Sequence, residues 1–278
     1  MSVASPPRGV GELLRDWRQR RRLSQLDLAL EAEVSARHLS FVETGRSKPS
    51  RELVVHLAEH LEVPLRERNA LLLAAGYAPV YGETPLDSPS MAPVRDALDT
   101  ILAGHEPFPA VIVDRRWDLV AANRPALQIL ADGVSPALLA PPANAMRVCL
   151  HPDGLAPRIT NLAEYSAHLL GRLRRQVVLS PDPMVEELVE ELRHYPGVED
   201  ATTAIDPVSM LFVPFRLRTP TGDELTFFST LATFGTPLDI TLAELSIESF
   251  FPADRVTEAA LRAARLRAQP SAGDGRSS

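Results

Sequence analysis

Cysteine is nearly absent, with Cys149 the single one in 278 residues. One thiol cannot close an intrachain disulfide and cannot build the usual cysteine-based zinc site, so a reducing, cytoplasmic setting is expected. Lysine is as scarce: Lys48 is the only one among 29 basic residues. No uninterrupted apolar run reaches the about 18 residues of a membrane-spanning helix, and the N-terminus lacks the apolar core of a signal peptide, so no membrane partner is expected. The common catalytic signatures are missing too. There is no glycine-rich phosphate loop, no G-x-S-x-G elbow and no H-E-x-x-H, and the seven histidines form no metal signature. The expectation is a protein without catalytic residues, cofactor or resident metal.

What is present is a 45% hydrophobic chain, enough for buried cores, with a net charge of −7. That charge is unevenly spread: residues 1–51 carry +4 and the remaining 227 carry −11. A basic end on an acidic chain is expected where one domain meets phosphates and the other does not.

The basic end reads as a helical domain over residues 1–76. Val10, Leu13, Leu14 and Trp17 recur at i, i+3, i+4, i+7 and mark a first helix. Ser24 with Asp27 makes a capping-box start for a second, whose Leu28, Ala29 and Ala32 face inward. Ser35 caps a third, with Leu39 and Val42 buried. Gly45 supplies the left-handed C-cap. Ser50 starts a fourth helix, and Leu65–Ala75 followed by Gly76 is a fifth. His56 and His60, one turn apart on the fourth, are expected to face solvent.

Two short helices joined by a tight turn, the second polar and followed by a basic loop, are the layout that places a helix in the major groove of DNA. Ala36, Arg37, Ser40 and Phe41 form the face turned to base edges. Arg37 suits the bidentate contact to guanine and Phe41 a thymine methyl. Arg46, Lys48, Ser50 and Arg51 are expected over the backbone, Gln25 with the amides at its helix start is expected to clamp phosphate, and the cap Ser35 is counted among the DNA-binding residues. The stretch resembles the XRE (lambda-repressor-like) helix-turn-helix family, through Gln25 and through Glu43-Thr-Gly-Arg-Ser-Lys-Pro49. Glu33 stands where that family usually has glycine. A left-handed backbone there costs about 1 kcal/mol.

Residues 77–93, with Pro79, Pro85, Pro89 and Pro93, read as a stiff extended linker. The second domain, residues 94–267, is expected to open with a helix from near Met91 through Leu102. Strands at 108–114 and 117–121 follow, then a helix from Asn123 to Leu130, the opening order of a PAS-type sensor. Helices at 162–176 and 184–193 and a hairpin of strands 208–217 and 224–233 complete the pattern. The fold class is therefore α+β: an all-α five-helix DNA-binding domain, then a PAS-like antiparallel sheet with helices. Residues 268–278 read as a disordered tail.

Two long stretches of this region, 144–177 (NAMRVCLHPDGLAPRITNLAEYSAHLLGRLRRQV) and 234–254 (FGTPLDITLAELSIESFFPAD), resemble the MmyB-like transcription regulators. These pair an XRE helix-turn-helix with a PAS-like ligand-binding domain, mostly in actinobacteria. The resemblance implies a pocket for a fatty-acid-like molecule. On the residues themselves, Arg147, His151 and Arg158, joined by His168 and Arg172, form either a carboxylate site or ordinary ion pairs and caps. Met146, Leu150, Phe212, Phe228 and Phe234 line either a cavity or plain core. Cys149 lies in an apolar run that favours core packing over reactivity.

The functional expectation is a homodimeric, sequence-specific transcription regulator. Its partners are a double-stranded DNA operator and a small apolar acid such as a fatty acid, sensed by the C-terminal domain. The alternative gives that domain to protein interaction, without a ligand.

Overall fold

The computed structural model describes residues 8–200 and 213–268, which fall into two compact units. Among the described residues, the first comprises 8–86 with Val178–Ser180 and Gly235–Ala243; the second comprises 87–177, 181–200, 213–234 and 244–268.

The first unit carries five helices in sequence: α1 (Val10–Arg20), α2 (Gln25–Glu31), α3 (Ala36–Glu43), α4 (Arg51–His60) and α5 (Leu65–Ala74). Their starts are set locally. Ser24 and Asp27 complete the reciprocal capping box, and the Ser35 and Ser50 hydroxyls accept from the amides of His38 and Leu53. Three helices end on a residue forced left-handed without being glycine: Arg22 (φ 58°), Glu33 (φ 50°) and Glu62 (φ 47°). Glu33 therefore bears the strain expected of it, about 1 kcal/mol. Two of the exposed carbonyl ends have side-chain partners. Arg21 donates to the Leu61 and Glu62 carbonyls, and His56, half-buried and not turned to solvent, bonds Ala32 O at 2.7 Å.

The core of this unit contains Leu14, Trp17, Leu28, Leu39, Val42, Leu57, Leu61 and Leu72. Its polar centre is an ion pair. Arg18 grips Glu43 with two parallel bonds of 2.7 and 2.8 Å and donates to Leu23 O, while Gln25 Nε2 donates to Glu43 Oε2 at 2.7 Å. Both partners are buried, Arg18 at 8% and Glu43 at 2% exposure. Burial raises the Glu43 pKa, but the bonds from Arg18 and Gln25 and the charges of Arg18 and Arg15 outweigh it and leave the value below the ordinary range. At Gly11, α1 comes so close to the end of α3 that a Cβ would lie 2.2 Å from Val42 O.

The second unit runs α6 (Ala92–His105), β1 (Ala110–Val113), β2 (Leu119–Ala122), α7 (Arg124–Ala131), α8 (Pro136–Leu139), α9 (Ala145–Leu150), α10 (Leu162–Leu179), α11 (Pro183–Leu192), β3 (Phe215–Arg218) and β4 (Glu224–Thr233). After α12 (Ile240–Ala243), which belongs to the first unit, come β5 (Ser246–Pro252) and α13 (Arg255–Ala268). The sheet is wholly antiparallel, in the order β2-β1-β5-β4-β3, and gives the chain the expected α+β, PAS-like architecture. Asn123 caps α7 as expected, its Oδ1 accepting from the Ala126 amide. The predicted strand 208–217 is found only as Phe215–Arg218, residues 208–212 lying outside those described. Of the predicted tail, Ala268 ends α13, and the rest lies outside the described residues. Sequence reading omitted the central strand β5, together with α8, α9, α12 and α13.

Two stability predictions follow from the helical unit. Glu43→Gln leaves Arg18 buried without its countercharge and is expected to cost about 3 kcal/mol in urea unfolding at pH 7. Because the folded carboxyl has a lowered pKa, the native pair stabilises above the unfolded carboxylate value of about 4.3 and loses that contribution as pH falls through the folded value. The variant should therefore show a flatter acid limb between neutral and acid pH. Gly11→Ala places its methyl against the α3 carbonyl and is expected to lower stability by about 1–3 kcal/mol in the same assay.

Candidate functional site

The first site is a cationic face in the helical unit. Arg37, Arg46, Lys48 and Arg51 are exposed, and none forms a salt bridge within 4 Å among the described residues. This contrasts with Arg15, Arg18 and Arg21 of the α1 end, whose charges are matched internally by Glu43 and Glu62. The Arg37 and Arg46 guanidiniums stand over the Phe41 ring, 5.4 and 6.0 Å from its centroid. Such stacking orients a guanidinium without neutralising it, leaving both forks able to donate. Lys48 is held against Tyr77 at 5.1 Å, and Tyr77 in turn donates to Pro49 O.

The structure thus brings Arg37, Phe41 and Arg46 together at α3. Ser35 and Ser50 are exposed, with their hydroxyl oxygens engaged as caps. Ala36 and Ser40 are half-buried, and Ala36 packs on the core. The Gln25 side chain, expected at phosphate, is committed to buried Glu43. That bond joins the first residue of α2 to the last of α3.

The second site is a cavity of about 90 Å³ in the PAS-like unit. Its wall comes from β1 (Val111), β2 (Leu119), α7 (Ala126, Ile129), α9 (Ala145, Met146, Val148, Cys149), α10 (Tyr165, Leu169), β3 (Phe215), β4 (Phe227) and β5 (Glu248, Phe250), with Pro109 and Leu155. It is apolar except for three groups. Glu248 is 6% exposed and accepts from Arg172 at 3.1 Å and Ser229 at 2.9 Å, both on Oε1. Arg172 is also stacked over Trp117, 4.3 Å from the ring centroid. Tyr165 is 6% exposed, and burial raises its pKa well above the ordinary phenol. Burial, with the Glu248 charge adding, likewise pushes the Cys149 thiol up, so it is protonated and a poor nucleophile.

Of the residues expected to bind ligand, Met146 lies on this wall and Leu150 is fully buried core beside it. Phe228 is one position out of register: a strand turns alternate side chains to opposite faces, so Phe227 meets the cavity while Phe228 stacks on Phe251 of β5. Phe234 follows β4, off the wall, and Phe212 lies outside the described residues.

The basic residues do not converge. Arg147 forms a bidentate pair with Glu191, and Tyr195 donates to the same carboxylate. His151 Nδ1 accepts from the Asp153 amide. Arg158 binds Asp132 and Arg218 O and borders a separate outer groove of about 680 Å³, which shares Ile129 with the cavity. His168, its pKa lowered by burial and by Arg172 and Arg175, lies beside Tyr165 with ring centroids 6.5 Å apart. Of these five, Arg172 alone bonds a charged cavity residue, through Glu248.

Sequence reading missed Glu248, Tyr165, Phe215, Phe227 and Phe250. The available signal was Glu248 itself, an acid inside the β-branched and aromatic run Ser-Ile-Glu-Ser-Phe-Phe of 246–251. A charge at such a position is costly unless it is paired or used.

Comparison with known proteins bears on both sites. Residues 94–264 match the family model described as the MmyB-like transcription regulator ligand binding domain, and residues 10–71 match a helix-turn-helix domain. No curated protein matches the chain. Among solved structures, a variant of RsLOV is 13% identical, with 64% of this chain and 86% of that one covered and a TM-score of 0.28. An RNA-binding light-oxygen-voltage receptor is 11% identical, with 94% and 64% covered and a TM-score of 0.27. Scores this low bear on neither fold nor function. The family match spans more than half the chain, follows a helix-turn-helix with an unneutralised cationic face and contains an apolar cavity; the chain belongs to the MmyB-like transcription regulators.

Proposed function

We propose that this regulator binds its operator as a homodimer through the α3 face and senses a small apolar ligand in the cavity of its PAS-like domain, without catalysing a reaction on it. The supporting observation is the cavity: sixteen residues from eight elements and the adjoining loops surround unfilled apolar space. Folded interiors are packed to the density of organic crystals, so an unfilled space of this kind is a recognised mark of a ligand site. A fatty-acid-like molecule is the version that the family resemblance implies. Its chain would need the cavity to widen, since an engineered cavity of about 150 Å³ takes a molecule no larger than benzene or xenon.

In this reading Arg37 reads a base edge, and Arg46, Lys48 and Arg51 neutralise phosphates. Two copies read pseudo-palindromic half-sites about one helical turn apart. The ligand acts only if it prefers one dimer state over another, because equal affinity for both states shifts nothing. A cytoplasmic location suits a protein that meets the chromosome.

Three outcomes are expected. Arg37→Ala should cost about 1–3 kcal/mol on the cognate operator and relax base preference. Arg46→Ala should weaken binding to all sequences alike and flatten its salt dependence. Fluorescence anisotropy on cognate and scrambled duplexes separates the two, and identical behaviour would contradict the division between reading and positioning contacts. In native mass spectrometry of the freshly purified protein, a dimer releasing an apolar molecule on denaturation is expected. An empty dimer whose operator affinity no apolar ligand changes would point instead to a protein partner.

A further inference from the structure

The connection between β4 and β5 is longer than the sheet requires. The two strands pair directly as far as Thr233 opposite Ser246, and adjacent antiparallel strands can be joined by as few as about two residues. Here residues 234–245 intervene, and Gly235–Ala243 belong to the first unit, whereas the strands on either side belong to the second.

Within the first unit this segment is fastened by polar bonds. Thr84 donates to Asp239 Oδ2 through its hydroxyl, at 2.7 Å, and through its amide, at 3.2 Å. Asp239 Oδ1 accepts from the Thr241 amide, and the Ile240 amide donates to Gly82 O at 2.8 Å. Gly82 allows the close approach, since a Cβ there would lie 3.3 Å from Asp239 Oδ2. Ile240 is buried, and α12 packs on α5. The stretch that receives Asp239 is itself tied to α5: Asn69 accepts from the Val80 and Tyr81 amides and donates to Tyr81 O, and Arg66 pairs with Glu83. In turn α5 packs on α1, which holds the end of α3 through Arg18–Glu43 and the approach at Gly11. Hydrogen-bonded and packed elements therefore run without a break from Asp239 to the helix with the cationic face, the kind of network that carries coupling.

Both strands that flank the segment wall the cavity, β4 through Phe227 and β5 through Glu248 and Phe250. We propose that Asp239 is the latch through which the β4–β5 connection carries the state of the cavity to the helical unit. This rests on the cavity being the ligand site. Coupling is a free energy read as a change in affinity at one site on filling the other. Releasing Asp239 thus erases the response and leaves both binding functions in place.

The test uses the full chain, decanoate as the probe, and the duplex that the purified chain selects from a random pool. Occupancy is followed by the methyl resonance of Met146 on the cavity wall, assigned with Met146→Leu, and duplex affinity by fluorescence anisotropy. Decanoate is expected to change the wild-type duplex affinity by about fivefold or more. Asp239→Ala should bind decanoate, and the duplex without decanoate, within about twofold of wild type, while the effect of decanoate on the duplex falls below that same factor. Thr84→Val, which removes one of the two Thr84 bonds, should reduce the effect by about half. Asp239 and Thr84 are both half-buried, so neither change empties a core. An undiminished decanoate effect in Asp239→Ala, or in Thr84→Val should the first not fold, overturns the latch. A larger shift in either basal affinity marks a merely structural role and overturns it as well. A second arm needs no ligand. Phe250→Leu on the wall should shift duplex affinity by about threefold, and Asp239→Ala should cancel that shift in the double variant. No shift, or additive effects, overturns the latch. If decanoate leaves Met146 or the duplex unmoved, the fatty-acid reading fails by itself, and this cycle still decides the latch.

Discussion

The Arg18–Glu43 pair is the constraint on which the DNA-reading half depends. It joins α1 to the last residue of α3, and Gln25 adds the first residue of α2 to the same carboxylate. The two helices of a helix-turn-helix must hold one angle if α3 is to present a fixed face, and Leu and Ala packing alone tolerates small slips. Bidentate bonds do not, because a guanidinium fork meets a carboxylate in one geometry. The close approach at Gly11 belongs to the same device, since α1 must lie against the α3 carbonyls for Arg18 to reach. Charge therefore stands in two settings within about 50 residues: buried and paired between α1 and α3, exposed and without an ion pair on the cationic face.

The PAS-like unit places its charge differently. Glu248 lies on the central strand, beside Val111 on β1 and Leu231 on β4 in register. Arg172 compensates it from α10, and the Trp117 ring holds Arg172 in place. A carboxylate in that setting is tolerated only because the guanidinium comes with it. The arrangement places a paired carboxylate on the wall of an otherwise apolar cavity.

What was legible in the sequence was what depends on near neighbours. Ser24, Ser35, Ser50 and Asn123 could be placed as caps because a cap and its amide lie within three residues. The left-handed Glu33 was legible for the same reason. Arg18–Glu43 was not, since its partners are 25 residues apart and no spacing rule links them. The strand β5 was hidden because Glu248 interrupts the apolar alternation that marks a strand. Choosing Phe228 over Phe227 shows the limit of composition: both are aromatic and adjacent, and only the pairing of β4 with β5 decides which one faces inward. The arginines and histidines near 147–172 looked like a cluster in the chain, but α9, α10 and the loop between them send the arginines to different carboxylates and carbonyls, His151 to the Asp153 amide and His168 to the Tyr165 ring.

The scarcity of lysine acquires a practical meaning once the face is known. The single ε-amine of this sequence, on Lys48, lies beside Tyr77 among the residues proposed to face the operator. Apart from an α-amino group, amine-directed chemistry has one address on this chain. A fluorophore placed there would sit on the proposed DNA face and report from a known position.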